Sequence, residues 1–352
     1  MKKNILIVLS LILFTCFNAF ANKVKLDSYY IGFKKINIKS EQTSEAFPVA
    51  LVYPTNESSK IVKFGHFKMN LSVGANIADG KFPLIIVSHG SGESHLGHKS
   101  IAFELVKNGY IVGMPLHPNN NFRNNSAEGT IQNWKNRPLH IKATINSILS
   151  NNKILNHINV DKIGIVGHSA GGYTALAAAG GKADTSHIIN LCINNPKINE
   201  PFCGLVKENK LPSESILNIG DKRIKALVLM APVGILFKSE NALSNINIPT
   251  FLLRAEKDQE LTEPYQSTVI AQNYKNKELL IDCTVPNAGH YSFITPFPDS
   301  IKGELGIIAQ DPKGFDRKMF HKVLSSDIAN FFDDVLKLKM NEGFGAKSCL
   351  VN

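Results

Sequence analysis

Residues 162–180 read KIGIVGHSAGGYTALAAAG, and this stretch decides the fold. Lys162 to Gly167 is a short apolar run, as expected of a strand buried on both faces of a sheet. Ser169 to Gly180 is alanine-rich and helix-prone. Between them, Gly167-His168-Ser169-Ala170-Gly171 matches G-x-S-x-G, with Gly172 following, in the strand–turn–helix setting that a nucleophile elbow needs. A serine on so tight a turn has a strained backbone, so the residues two before and two after it must be small. The turn lifts the hydroxyl clear of the sheet and sets it at the positive end of the next helix. Ser169 is therefore the candidate nucleophile.

Outward from this point, strand-like and helix-like runs alternate, the pattern of a mainly parallel sheet wrapped by helices. Strands are predicted over 47–54, 82–88, 110–114, 224–230, 250–254 and 279–283. Helices are predicted over 101–108, closed by Gly109, and over 140–150, where Ile141, Ile145, Ile148 and Leu149 share a face. A last helix over 316–336 places Phe320, Val323, Leu324, Ile328, Phe331 and Val335 on one side. Residues 181–221, 231–249 and 292–315 break the alternation and read as excursions above a single sheet, where substrate-shaping loops belong. They carry Phe202, Leu205, Ile235, Leu236, Phe237, Phe293 and Phe297, of which some belong in the core and the rest suit an apolar acyl pocket.

Serine is a poor nucleophile at neutral pH and needs a base. His290 follows the last predicted strand in Asn287-Ala288-Gly289-His290-Tyr291, where a loop can return it over the sheet edge. The acid belongs after the preceding strand, and Asp258 there can reach the imidazole Nδ1–H and fix its tautomer. Glu256 and Glu260 are its rivals. Ser88-His89-Gly90-Ser91-Gly92 follows the strand at 82–88, as an oxyanion loop does, and makes the amides of Ser91 and Ala170 the expected oxyanion donors.

These elements (HGSG, GHSAGG, Asp258 and AGHYSF, with YIVGMPLHP at 110–118) resemble the bacterial dienelactone-hydrolase-like group. That group is similar to platelet-activating-factor acetylhydrolases within the α/β-hydrolase superfamily. The resemblance spans roughly Pro83 to His290 and implies an α/β-hydrolase fold with a mainly parallel central sheet flanked by helices. It also implies a Ser169–Asp258–His290 triad and no cofactor. One departure matters: dienelactone hydrolases proper use a cysteine where this chain has Ser169, which argues against dienelactone as substrate.

The rest of the sequence bounds the setting. Lys2, Lys3, an apolar run from Ile5 to Phe14 and Ala19-Phe20-Ala21 read as an export signal over 1–21, leaving 22–352 as one domain. The run is too short to span a bilayer without strain, so no transmembrane segment is expected after cleavage. Four cysteines then remain, and an even number in an exported chain points to disulfides, here Cys192–Cys203 and Cys283–Cys349. No Cys/His spacing suits zinc, so no metal is expected. The net charge of +10, two of it from Lys2 and Lys3, is scattered rather than blocked, which argues against nucleic acid as a partner. A small-molecule ester is the expected partner, with periplasmic or extracellular location. The competing classes are a lipid-directed hydrolase, a peptidase, and a catalytically silent binding protein on the same scaffold. Oligomeric state leaves no mark in the sequence.

Overall fold

The computed structural model describes residues 28–198, 200–216 and 220–338. The expected signal segment 1–21 and Cys349 lie outside the described residues. Twelve strands appear in chain order: β1 (Tyr30–Lys39), β2 (Ala46–Thr55), β3 (Lys60–Phe64), β4 (Phe67–Val73), β5 (Phe82–Ser88), β6 (Ile111–Pro115), β7 (Ile158–His168), β8 (Ala183–Asp184), β9 (Ser215–Ile216), β10 (Ile224–Met230), β11 (Thr250–Ala255) and β12 (Leu280–Val285). The helices are α1 (Lys99–Lys107), α2 (Ile131–Ser150), α3 (Asn152–Leu155), α4 (Ala170–Ala178), α5 (Ser186–Asn194), α6 (Cys203–Lys207), α7 (Ser267–Asn273) and α8 (Arg317–Phe332).

Ten strands form one sheet in the order β12-β11-β10-β7-β5-β6-β2-β1-β4-β3. From β12 to β6 all neighbours are parallel, and β2 joins β6 antiparallel. Strand β5 (FPLIIVS) is buried throughout and sends alternate residues to opposite faces. Leu84 and Ile86 face the core that α2, α4 and α7 also enter, through Ile141, Ile145, Leu176 and Ile270. Ile85 and Val87 pack with α1 and α8 through Ile101, Leu105, Leu324 and Ile328. The result is a three-layer α/β sandwich with the parallel strands at its centre.

Several elements depart from the sequence expectation. Helix α2 starts at Ile131, nine residues before the expected 140. Pro138 lies inside it and has no N–H for the carbonyl of Trp134; that carbonyl accepts the Tyr173 hydroxyl instead, at 2.9 Å. Thr130 caps the helix by accepting the Asn133 N–H at 3.2 Å. Strands β1, β3 and β4 were not foreseen, and β3 shows why, since no residue in it is fully buried. On α8, Val323 is 39% exposed rather than part of the apolar face, and the last turn, Asp333–Lys337, is a π-helix. Of the seven excursion residues expected to divide between core and pocket, Phe202, Ile235, Leu236, Phe237 and Phe293 are all buried core; only Leu205 and Phe297 are partly exposed.

The first excursion is not structureless. It holds α5, α6 and the β8–β9 ribbon, and a Cys192–Cys203 disulfide staples it with a Cα–Cα distance of 5.4 Å. Closing a loop of this length stabilises a fold by about 2–4 kcal/mol. Cys283 is buried on β12.

Candidate active site

Strand β7 ends at His168, Ser169 takes φ 54° and ψ −120°, and α4 begins at Ala170. The Ser169 N–H is held by the carbonyl of Met230 on β10 at 3.0 Å, while its own carbonyl accepts the N–H of Gly172 at 2.9 Å and of Val233 at 3.1 Å. The glycines of the motif are required sterically. A Cβ at Gly167 would strike the carbonyl of Gly171, one at Gly171 the carbonyl of Ser88, and one at Gly172 the ring of Pro232. The loop after β5 crosses directly against this turn, since a Cβ at Gly90 would lie 3.1 Å from that of Ser169. Ser91 follows Gly90 on this loop, and Ala170 supplies the first N–H of α4.

His290 opens a 3-10 turn, His290–Phe293, five residues past β12. Its Nδ1–H donates to Asp258 Oδ2 at 2.8 Å, and both side chains are nearly excluded from water. The other oxygen of Asp258 accepts the N–H groups of Glu260 and Leu261 at 2.9 and 2.8 Å. Glu256 instead accepts the Asn287 N–H at 2.8 Å, and Glu260 pairs with Tyr291. Of the three carboxylates considered from sequence, the structure brings Asp258 to the imidazole. His290 adjoins the elbow through His168, whose ring centroid lies 4.9 Å from its own.

Burial opposes ionisation of Asp258, but the charge and hydrogen bond of His290 and the two backbone N–H groups outweigh it and hold the carboxyl below its ordinary value. Burial likewise opposes protonation of His290, and Asp258 overcomes it, leaving the imidazole pKa above the ordinary 6.5. A general base must be neutral, so with His290 in that role activity is expected to fall as pH drops through this raised value. The acid limb of kcat/KM is accordingly expected to have its midpoint above 6.5. A pH–rate profile with its midpoint below that value would remove His290 from the role.

A polar network that no motif announces underlies the loop after β5. Arg137, fully buried on α2, donates to the carbonyl of His89, to Asn120 Oδ1 at 2.5 Å and to Thr174 Oγ1 at 2.8 Å. His117 Nε2 meets Ser88 Oγ at 2.9 Å, and His117 joins His140, which reaches Glu45 at 2.7 Å. Arg137 and His140 lie on the inward face of α2, while Ser88, His89, His117 and Asn120 come from a strand end and loops, so no single periodic run announces them. Such groups stay buried only when their hydrogen bonds are satisfied. A second clamp ties the disulfide-stapled excursion to the acid loop. Glu200 accepts the Thr262 N–H at 2.6 Å and the Gln266 amide at 2.8 Å, and Gln266 in turn accepts the N–H groups of Gly234 and Ile235. Burial raises the Glu200 carboxyl to about 7, against the pull of those hydrogen bonds. Beside this clamp a cleft of about 640 Å³ opens between residues 195–198 and 262–265.

Among the described residues, Glu93, His98 and His168 gather donor atoms as metal ligands do, all within 4.8 Å of one another. Those atoms are joined directly, at 2.6 Å for His168 Nδ1 and 3.0 Å for His98 Nε2. Among the described residues no helix is long and apolar enough to cross a membrane.

The central sheet and the elbow define a member of the α/β-hydrolase superfamily. The chain belongs to the Chlorophyllase family, whose model matches residues 34–286, well over half of its length. No curated protein matches it by sequence. Among solved structures, the ferulic acid esterase from Streptomyces cinnamoneus superposes with a TM-score of 0.63 at 17% identity, over 94% of this chain and 96% of that one. At that identity the likeness establishes the fold.

Proposed function

We propose that this carboxylic-ester hydrolase is an exported serine esterase using Ser169, His290 and Asp258, with a preference for short to medium acyl chains. The carrying observation is the 2.8 Å bond between His290 Nδ1 and Asp258, with the His290 ring against His168, the residue that precedes a serine held at φ 54°. In this reading Ser169 Oγ attacks the ester carbonyl as His290 Nε2 takes its proton. Asp258 orients the imidazole and stabilises the imidazolium. The N–H groups of Ser91 and Ala170 bind the oxyanion, each donor being worth ~3 kcal/mol in the transition state. His290 then protonates the leaving alkoxide, and water, deprotonated by the same imidazole, releases the acid from the acyl-serine.

Export fits the charged and apolar run at the N-terminus and the Cys192–Cys203 disulfide, which persists in oxidising compartments. A further bond between Cys283 and Cys349 is part of this proposal. The modest acyl preference rests on the packing of the excursions. Of the seven residues named above, five are committed to the core, Leu205 packs against it and Phe297 against Phe67, which leaves little apolar lining for a long chain.

On a p-nitrophenyl series from acetate to palmitate, kcat/KM is expected to peak at short or medium chains and fall steeply beyond. Chlorophyll and feruloyl esters, named by the family and by the structural neighbour, belong in the same assay. Highest activity on long-chain lipid with negligible acetate turnover would replace this reading with a lipase. Absence of fluorophosphonate labelling would replace it with a silent scaffold.

A further inference from the structure

Glu93 lies in the oxyanion loop, three residues past Gly90, and is almost wholly buried. Its Oε2 accepts the Gly90 N–H at 2.9 Å and meets His98 Nε2 at 3.0 Å, while Oε1 meets His168 Nδ1 at 2.6 Å. Both imidazoles are fully buried, and each turns its second nitrogen to the turn that carries His290. His168 Nε2–H donates to the carbonyl of His290 at 3.0 Å, and His98 Nδ1–H to the carbonyl of Phe293 at 3.0 Å. These are the first and last residues of that four-residue 3-10 turn. A third buried imidazole, His321, donates to the carbonyl of Ser292 between them at 3.0 Å and is itself held by Ser100 at 2.8 Å.

We infer that Glu93 is a positioning residue, one carboxylate that fixes the general-base turn through His168 and His98 while holding the oxyanion loop through Gly90. This rests on the triad reading above and adds what couples its parts. A carbonyl cannot donate, so each of the three imidazoles must present an N–H to it. The carboxylate sets the ring planes of two of them from the opposite side, as acceptors do for histidines in metal sites. A turn pinned at three of its four carbonyls keeps the His290 ring from drifting relative to Ser169, and small displacements of a reacting group can cost about a hundredfold in rate. Burial resists ionisation of Glu93, but the charge of His168 and the hydrogen bonds from both imidazoles hold its carboxyl well below the usual range. An anionic carboxylate and a carbonyl both only accept, so His168 bridges them with an N–H on each nitrogen, a charge that its burial opposes and Glu93 favours.

Isosteres separate positioning from packing. In His168→Gln the amide nitrogen replaces Nε2 and keeps the bond to His290; in His168→Asn it replaces Nδ1, keeping Glu93 and releasing His290. The Asn variant is expected to lose about a hundredfold in kcat with KM within about threefold, and the Gln variant to stay within about tenfold of the native enzyme. Glu93→Gln supplies a readout that packing would not move. The charges facing His290 are those of Asp258, Glu93, Glu260 and His168, and the Glu93 anion raises the His290 pKa. Its removal should shift the acid limb of kcat/KM to lower pH. Equal activity of the two His168 variants with an unmoved acid limb in Glu93→Gln would overturn the inference. So would one equivalent of metal in the purified enzyme whose chelation abolishes activity, since the cluster would then be a ligand set. Failure of the triad itself shows elsewhere, as retained turnover in Ser169→Ala.

Discussion

Ser169→Ala is expected to lower kcat on a short-chain ester by roughly 10⁵–10⁶-fold while leaving the folded structure in place. Without the hydroxyl no acyl-enzyme forms, and what remains comes from the oxyanion donors and substrate binding acting on water, about 10³–10⁴ above the uncatalysed rate. The fold survives because the turn needs a small side chain, not a polar one. The strand, the helix and the backbone bonds to Met230, Gly172 and Val233 are untouched. Stability gives a second reading of the same site. A non-glycine residue held at φ 54° and ψ −120° carries strain of about 1–3 kcal/mol. Ser169→Gly should therefore be the more stable of the two dead variants, visible as a higher midpoint in thermal unfolding. Turnover above a few percent of wild type in either variant would take the nucleophile away from Ser169.

The parts legible in the sequence are those where one physical demand dominates. Strands β5, β10 and β11 are buried almost throughout and read as largely apolar runs with bounds close to those observed. Strand β7 is continuously buried only from Ile163 onward and starts four residues before the expected Lys162, with a stretch (159–162) that is partly or fully exposed. The elbow is legible because only glycine fits at Gly167 and Gly171. Where demands conflict, the pattern fails. In β1, which lies between β2 and β4, Lys34, Lys35 and Lys39 interrupt the apolar residues, and β3 sits at the sheet edge with no buried residue, so neither run stands out from a loop. The first half of α2 buries Asn133, Arg137 and His140 beside Trp134, so its inward face is polar and its periodicity is hidden. Pro138 then reads as a break, although Tyr173 supplies the missing donor from another helix. Glu93 escapes for a related reason. A carboxylate in a loop reads as solvated until the fold brings two imidazoles to it from α4's approach strand and the start of α1. Local periodicity cannot report a buried ion whose partners lie 5 and 75 residues away.

Asp258→Asn should lower kcat by about 10⁴-fold with little change in KM, and the reason lies in the division of labour between its two oxygens. Oδ1 accepts the N–H groups of Glu260 and Leu261, and Oδ2 accepts His290 Nδ1–H. An asparagine keeps only one acceptor. Turned to satisfy the two backbone donors, it aims its NH₂ at His290 Nδ1, which can then only accept. The imidazole proton moves to Nε2, and the lone pair that should take the proton from Ser169 is gone. Turned the other way, the amide sets its own donors against two backbone donors with nowhere to go, at the cost of burying unpaired N–H groups, about 1–3 kcal/mol each. The first arrangement is favoured, and it is the inactive tautomer. Substrate meets the same pocket in either case, which is why KM holds. The variant also strips the chief influence that raises the His290 pKa, so its residual activity should extend to lower pH than that of the wild type. Glu256→Gln and Glu260→Gln serve as comparisons, because neither carboxylate is hydrogen-bonded to the imidazole: Glu256 accepts the Asn287 N–H, and Glu260 acts on His290 only through its charge. Both should stay within about tenfold of wild type. If Glu260→Gln instead loses several orders of magnitude while Asp258→Asn remains active, Glu260 is the acid and the observed pairing is not the working one.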